Sequence, residues 1–272
     1  MNIPTRKSTR TLLFSAMLLS LSAPLLAQDA TTADTPAAAP ATKGTEVTTV
    51  SPEAQAVIDR MTSYISGLKT YSVENWSTRD EVVSFGYKLQ HNEHGVTTIQ
   101  LPNKLRAEVE GDVRNRSFVY DGSKIVMYSP DDAVFVKTDA PDTLGKLVDG
   151  ILDAGIEMPM LDMLYQSYKG GITGNARGGV LVGETTIDGV DCDHLAFRSP
   201  SFDWQLWVEK GARPLPKKLV ITTRYEVGDP QYQLLMRWNL QPKIDKSTFE
   251  FTPPTGVTQI PFVEAAVLKD AQ

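Results

Sequence analysis

Apolar residues recur along this chain with two periods. Ala54, Val57, Ile58, Met61, Ile65 and Leu68 return at steps of three and four, which predicts a helix with one apolar face. Ser51 suits its N-cap, Pro52 its first turn and Gly67 its end. Beyond it the period falls to two. Val83, Phe85, Tyr87 and Leu89 alternate with Ser84, Gly86, Lys88 and Gln90, and Asn92-Glu93-His94-Gly95 is expected to turn the chain. Leu105, Ala107 and Val109 alternate with Arg106, Glu108 and Glu110. Asp121-Gly122 reads as a hairpin turn between Val119-Tyr120 and Ile125 to Tyr128. Pro130-Asp131-Asp132 turns again, into Val134 to Lys137.

The strand rhythm stops at Asp142. That residue can cap a helix with Leu144, Leu147, Val148, Ile151 and Leu152 on one face, and Pro159 can start a second with Met160, Leu161, Met163 and Leu164. A run with five glycines, Gly170 to Gly179, follows and is expected to be a mobile connection. Strands then resume around Phe202 to Val208, Leu219 to Tyr225 and Tyr232 to Leu240. About eleven strands with one apolar face must curl around something, and the helices are the available cover. The expected fold is mainly β (α+β): an incomplete antiparallel β-barrel with an N-terminal helix and a helical lid insertion.

The first residues have another purpose. Arg6, Lys7 and Arg10 precede the apolar run Thr11 to Leu21, which has signal-peptide length and is short for a membrane span. Residues 1–27 are expected to be a signal peptide cleaved after Ala27, with an uncleaved anchor as the alternative. No cysteine follows the run, so a bacterial lipid anchor is excluded. Residues 28–50 hold small and polar residues with Pro36 and Pro40, the composition of a disordered linker. Residues 51–272 would then form a single domain.

Charge and composition exclude more than they assign. The chain of 272 residues carries a net charge of −6. Without Arg6, Lys7 and Arg10 the secreted chain has 24 basic against 33 acidic residues, a net −9. A nucleic-acid partner is not expected. Cys192 is the single cysteine, so neither an internal disulfide nor a Cys-rich zinc site can form.

The candidate chemistry is thin. His91, Glu93 and His94 have zinc-ligand character but sit on the expected turn without a third strong ligand. Asp188, Asp191, Asp193 and His194 do not match a calcium loop and read as a polar strand face. Cys192 and His194 would point to one side of a strand, and a buried structural thiol is the plainer reading. The glycine run matches neither a P-loop nor a dinucleotide fingerprint. No catalytic residue, metal or cofactor is expected, and the chain is read as not an enzyme. Met158, Met160 and Met163 suit either a core or an adaptable apolar binding surface.

Three segments resemble the periplasmic lipoprotein carrier LolA: Asp121-Gly122 through Tyr128-Ser129-Pro130, Pro102-Asn103 before Leu105, and Phe249-Glu250-Phe251-Thr252-Pro253-Pro254-Thr255-Gly256-Val257. A fuller resemblance is to a family of predicted periplasmic proteins of unknown function within the same superfamily. It runs through Asp188 to Leu195, Asp203 to Glu209, Arg213 to Thr223, and Pro230 to Tyr232 with Trp238. The resemblance implies a half-barrel with a lid. The carrier has an arginine before its Pro-Asn pair that helps hold the lid; here Leu101 stands there and cannot donate a hydrogen bond. The lid is therefore expected to be held by apolar contacts alone.

These readings together imply a periplasmic carrier or binding protein for a hydrophobic ligand, a lipid or acyl chain. Phe85, Leu89, Trp204, Tyr232, Leu234 and Trp238 are the expected cavity residues, under a lid of Leu144, Leu147, Ile151, Met160 and Leu164. Transient membrane contact and an envelope protein partner are compatible with that role. The alternatives are an envelope-sensing interaction module of the same fold, and a core-filled structural protein without ligand.

Overall fold

The computed structural model describes residues 48–153, 158–169 and 171–262. The expected signal peptide and nearly all of the expected linker lie outside the described residues. Helix α1 (Pro52–Gly67) begins as the sequence predicts: Ser51 Oγ accepts from Ala54 N at 3.2 Å, and Pro52 occupies the first turn.

Twelve strands follow. They are β1 (Thr70–Val82), β2 (Lys88–Gln100), β3 (Lys104–Gly111), β4 (Arg116–Tyr120), β5 (Lys124–Ser129), β6 (Val134–Asp139), β7 (Gly178–Ile187), β8 (Val190–Arg198), β9 (Phe202–Glu209), β10 (Pro216–Thr223), β11 (Gln231–Asn239) and β12 (Thr258–Gln259). Between β6 and β7 lie α2 (Leu144–Asp153) and α3 (Pro159–Lys169). The strands form one sheet in the order β12-β6-β5-β4-β3-β2-β1-β11-β10-β9-β8-β7. It is open, with β12 and β7 at its edges, and antiparallel except for the β12–β6 pair. The fold is the expected incomplete barrel.

Register assigns the faces. Tyr71 and Val73 of β1 oppose Ile99 and Thr97 of β2, and Val73 opposes Trp238 of β11. Leu234 pairs with Leu219, Leu219 with Leu206, and Leu206 with Leu195. On the other side Ile99 pairs with Leu105 and Leu105 with Tyr120. The apolar residues among these form one buried cluster with the apolar faces of all three helices, Trp238 packing at its edge. We call this helix-covered side the inner face.

The opposite face carries two smaller clusters. Val119, Val126 and Phe135 are covered by Phe251 and Val257 from the C-terminal segment, with Phe251 5.5 Å from the Tyr128 ring and 5.3 Å from Phe135. That segment then supplies β12 to the β6 edge. The F-x-F-x-P-P-x-G-V motif is thus an edge closure, which removes a template for unwanted strand pairing. The DG and PN motifs also meet each other. Gly122 has φ 95°, and a Cβ there would stand 2.4 Å from Asn103 Nδ2, so only glycine fits.

Two expectations are corrected. The first hairpin turns at Ser84–Gly86, and Asn92 to Gly95 lie inside β2, paired on both sides. The ladder outweighs the local turn chemistry, and Gly95 is useful there because a side chain would meet Glu108 O at 3.1 Å. Gly178 and Gly179 belong to β7 rather than to a connection. Gly179 O accepts from Ser51 N at 2.9 Å and so anchors the entry to α1.

Candidate functional site

The apolar inner face and its helical cover are the one extended feature that unites the expected residues. Trp204 and Leu234 are buried in it, and Tyr232 and Trp238 pack at its margin. Trp204 stacks on Phe197 at 4.0 Å. Trp238 donates through Nε1 to Pro216 O at 2.8 Å and lies 5.4 Å from the Tyr71 ring. Burial pushes the Tyr232 phenol up to about 12 despite its hydrogen bond with Ser77.

Phe85 and Leu89 do not join them. Phe85 stands in the turn of the first hairpin and Leu89 at the start of β2, both exposed. Leu89 keeps inner-face register, but the helices do not reach it. The alternation that suggested a buried strand face belongs to a hairpin projecting past the cover.

The insertion covers the inner face as expected. Leu144, Leu147 and Leu164 are buried there, with Val148, Leu161 and Met163; Ile151 and Met160 pack at the rim. Thr143, not Asp142, caps α2: its Oγ1 accepts from Lys146 N at 3.4 Å, while Asp142 pairs with the Lys146 Nζ at 2.8 Å. Asp149 of α2 accepts from Tyr165 Oη of α3 at 2.5 Å and pairs with Lys169 at 3.3 Å, tying the two helices together.

The insertion is not held by apolar contacts alone. Tyr168 of α3 and Tyr71 of β1 share a hydrogen bond between their hydroxyls at 3.0 Å. Tyr71 is fully buried, and burial together with Tyr168 holds its phenol well above the ordinary value. Tyr168 is raised too, by burial first. Two further bonds anchor the entrance: Tyr120 Oη donates to Pro141 O at 2.5 Å, and Leu144 N to Pro102 O at 2.8 Å. A polar latch therefore exists at a place that Leu101 does not report. Ninety-seven residues separate its two tyrosines, so no local motif could have shown it.

The remaining candidate chemistry disperses. His91 and His94 lie on opposite faces of β2, where His91 pairs with Glu81 at 2.8 Å and His94 with Glu74 at 3.1 Å. Cys192 is buried beside Trp207 and Val220. His194 stacks on Trp207 at 4.2 Å and bonds Gln205 at 3.0 Å. Asp193 turns to the other face and pairs with Arg60 of α1 at 2.8 Å. A groove of about 510 Å³ runs along the outer face past Trp76, His94, Glu110 and Leu235, and another of about 500 Å³ lies beside Lys104, Asp121 and Phe249. Neither lies between the insertion and the sheet.

An open antiparallel sheet with a tethered helical cover defines the class: a half-barrel with an apolar inner face. The chain belongs to the family described as "Predicted periplasmic protein (DUF2092)", whose model matches residues 54–263. No curated protein matches it. Among solved structures the chain is similar to LprF from Mycobacterium bovis (12% identity, 73% of this chain and 98% of that one, TM-score 0.46). It is similar to the lipoprotein LppX of Mycobacterium tuberculosis (16% identity, 72% and 100%, TM-score 0.44). It is also similar to a LolA superfamily protein from Nitrosomonas europaea (12% identity, 73% and 97%, TM-score 0.32).

Proposed function

We propose that this protein is a periplasmic, non-enzymatic carrier that shields an acyl chain on the inner face of its sheet. Its signal peptide is removed near Ala27, residues 28–50 tether the domain, and residues 51–272 carry the function. The observation that supports this reading is the cover itself. The apolar face of an open sheet is completed by α1 and by an insertion between β6 and β7 rather than by the sheet's own strands.

The energies of cover and ligand are commensurate. Six insertion side chains are buried: Leu144, Leu147, Val148, Leu161, Met163 and Leu164. At ~1.5–3 kcal/mol each they contribute roughly 9–18 kcal/mol before entropy. A fully buried 16-carbon chain offers about 12 kcal/mol at ~0.8 per methylene. An acyl chain can therefore take over the place of the insertion on the inner face, and the described arrangement is the self-filled, closed state. Trp204, Tyr232, Leu234 and Trp238 would line the chain. The chemistry is passive, and no bond is made or broken.

Native mass spectrometry of protein taken from the periplasm tests this, together with displacement of an environment-sensitive dye by fatty acids of increasing length. Co-purified lipid and tighter displacement by longer chains are expected. A stable complex with an envelope protein, without lipid or dye binding, would favour the sensing module instead.

A further inference from the structure

We propose that one end of the sheet, built from the β1–β2 hairpin and the β10–β11 loop, docks on a lipid surface. The proposal rests on the carrier reading for the identity of its occupant and on its own observations for the site. Phe85 is 96% exposed, Tyr87 70% and Leu89 46% on the hairpin; Tyr225 is 82% and Val227 77% exposed on the loop. The two segments are neighbours. Arg79 pairs with Tyr232, Gln231 N donates to Asp80 Oδ2 at 3.1 Å, and Gly228 lies against Val82 and Lys88.

The backbone makes these aromatics more than scattered surface residues. Phe85 has φ 79° and Tyr225 φ 71°, a region that bulky side chains rarely occupy and that Gly or Asn enters more readily. Folding alone would favour Asn or Gly at both positions. The chain instead places two rings there and turns them to solvent. Such positions persist where the strained residue serves a contact.

Area and charge choose the occupant. At ~200 Å² per fully exposed ring, Phe85, Tyr87 and Tyr225 alone present about 500 Å². Leu89 and Val227 bring the tip to roughly 700 Å², above the ~300–600 Å² of a typical monomer's largest patch and short of the ~800 Å² per partner that a stable protein complex buries. Most neighbouring charges are engaged with one another: Lys88 with Asp80 at 3.1 Å, His91 with Glu81 at 2.8 Å, and Arg224 with Asp203 and the Ser199 and Pro200 carbonyls; Arg79, Glu226 and Asp229 make up the rest, one basic and two acidic, so the tip has no strong charge of one sign. They offer little complementarity to a charged protein surface. A bilayer interface accepts Phe and Tyr rings on narrow loops without shape matching. The site also lies at the far end of β1 and β2 from the Pro102–Leu144 anchor of the insertion, about 40 Å of strand away.

The test is flotation of the mature protein with vesicles of phosphatidylethanolamine and phosphatidylglycerol, for the parent and for Phe85→Asn/Tyr225→Asn. The parent should float, and the double variant should partition at least tenfold less. Its melting temperature should be equal or higher, because Asn suits both backbone positions. Dye displacement by free fatty acid in vesicle-free buffer should be unchanged. A parent that does not float, or a variant that floats as well as the parent, overturns the proposal. Binding only to vesicles that carry envelope proteins also overturns it and makes the tip a protein interface. Loss of dye displacement in the parent would overturn the carrier reading while leaving a positive flotation result standing.

Discussion

Replacing Tyr168 with Phe removes one hydroxyl and leaves the Tyr71 hydroxyl buried without its partner. A buried polar group stripped of its hydrogen bond costs about 1–3 kcal/mol. The cost falls on the closed state, because water satisfies Tyr71 once α3 lifts. The opening equilibrium should therefore rise by about 5–150-fold. Hydrogen exchange should accelerate by that factor in Leu144–Lys169 and stay unchanged in β11. If the closed state is self-filled, apparent affinity for a fatty acid should increase by up to the same factor, since more of the protein is competent to bind. Tyr71→Phe/Tyr168→Phe removes both partners together and should return close to the parent. Unchanged exchange in the single variant would refute the latch. Equal acceleration in β11 would show that these helices are simply core.

Three further outcomes follow from the same contacts. Leu147→Asp places a carboxylate in the cluster under α2, an uncompensated buried charge worth several kcal/mol; hydrogen exchange should show α2 and α3 displaced while β9 to β11 stay protected. Gly122→Ala should lower the urea midpoint by the equivalent of about 1–3 kcal/mol, because of its φ of 95° and the contact with Asn103. Tyr71, Tyr168 and Tyr232 keep their protons above the ordinary phenol range when folded, whereas tyrosines of the unfolded chain ionise near pH 10; the stability they contribute is full below that pH and is lost as pH rises through their raised folded values. Urea unfolding at pH 8 and pH 11 should show this loss, and Tyr71→Phe/Tyr168→Phe should reduce it.

Legibility in the sequence followed burial. The runs at β9, β10 and β11 alternate because one face meets the helices, with Trp207 and Val220 as exceptions that pack with Cys192 on the other face, and their positions are readable to within two or three residues. The outer half of the first hairpin was not. Beyond Ser77 no residue of β1 is buried, so Arg79, Asp80, Glu81 and Val82 carry no apolar rhythm. The apparent strand at Val83 to Gln90 straddles the real turn. The pattern assigns Phe85 to a cavity because an aromatic in an alternating run usually faces inward; its positive φ and the approach of the β10–β11 loop to its hairpin come from a tertiary arrangement that pattern cannot encode. The latch was hidden for the same reason. Leu101 offers no hydrogen bond to the insertion, and the bond that does tether it joins Tyr71 and Tyr168, two residues brought together only by the fold.

On the carrier reading the inner face accepts an acyl chain when the insertion moves. Photo-crosslinking with a diazirine-bearing fatty acid, followed by mapping of the labelled residues, tests it most directly. Label is predicted on Trp204, Leu234 and Trp238 of the sheet and on Leu147 and Leu164 of the insertion, and it should increase in Tyr168→Phe. Label confined to the outer-face groove around Trp76 and His94, or absent from the inner face in both proteins, would contradict the account.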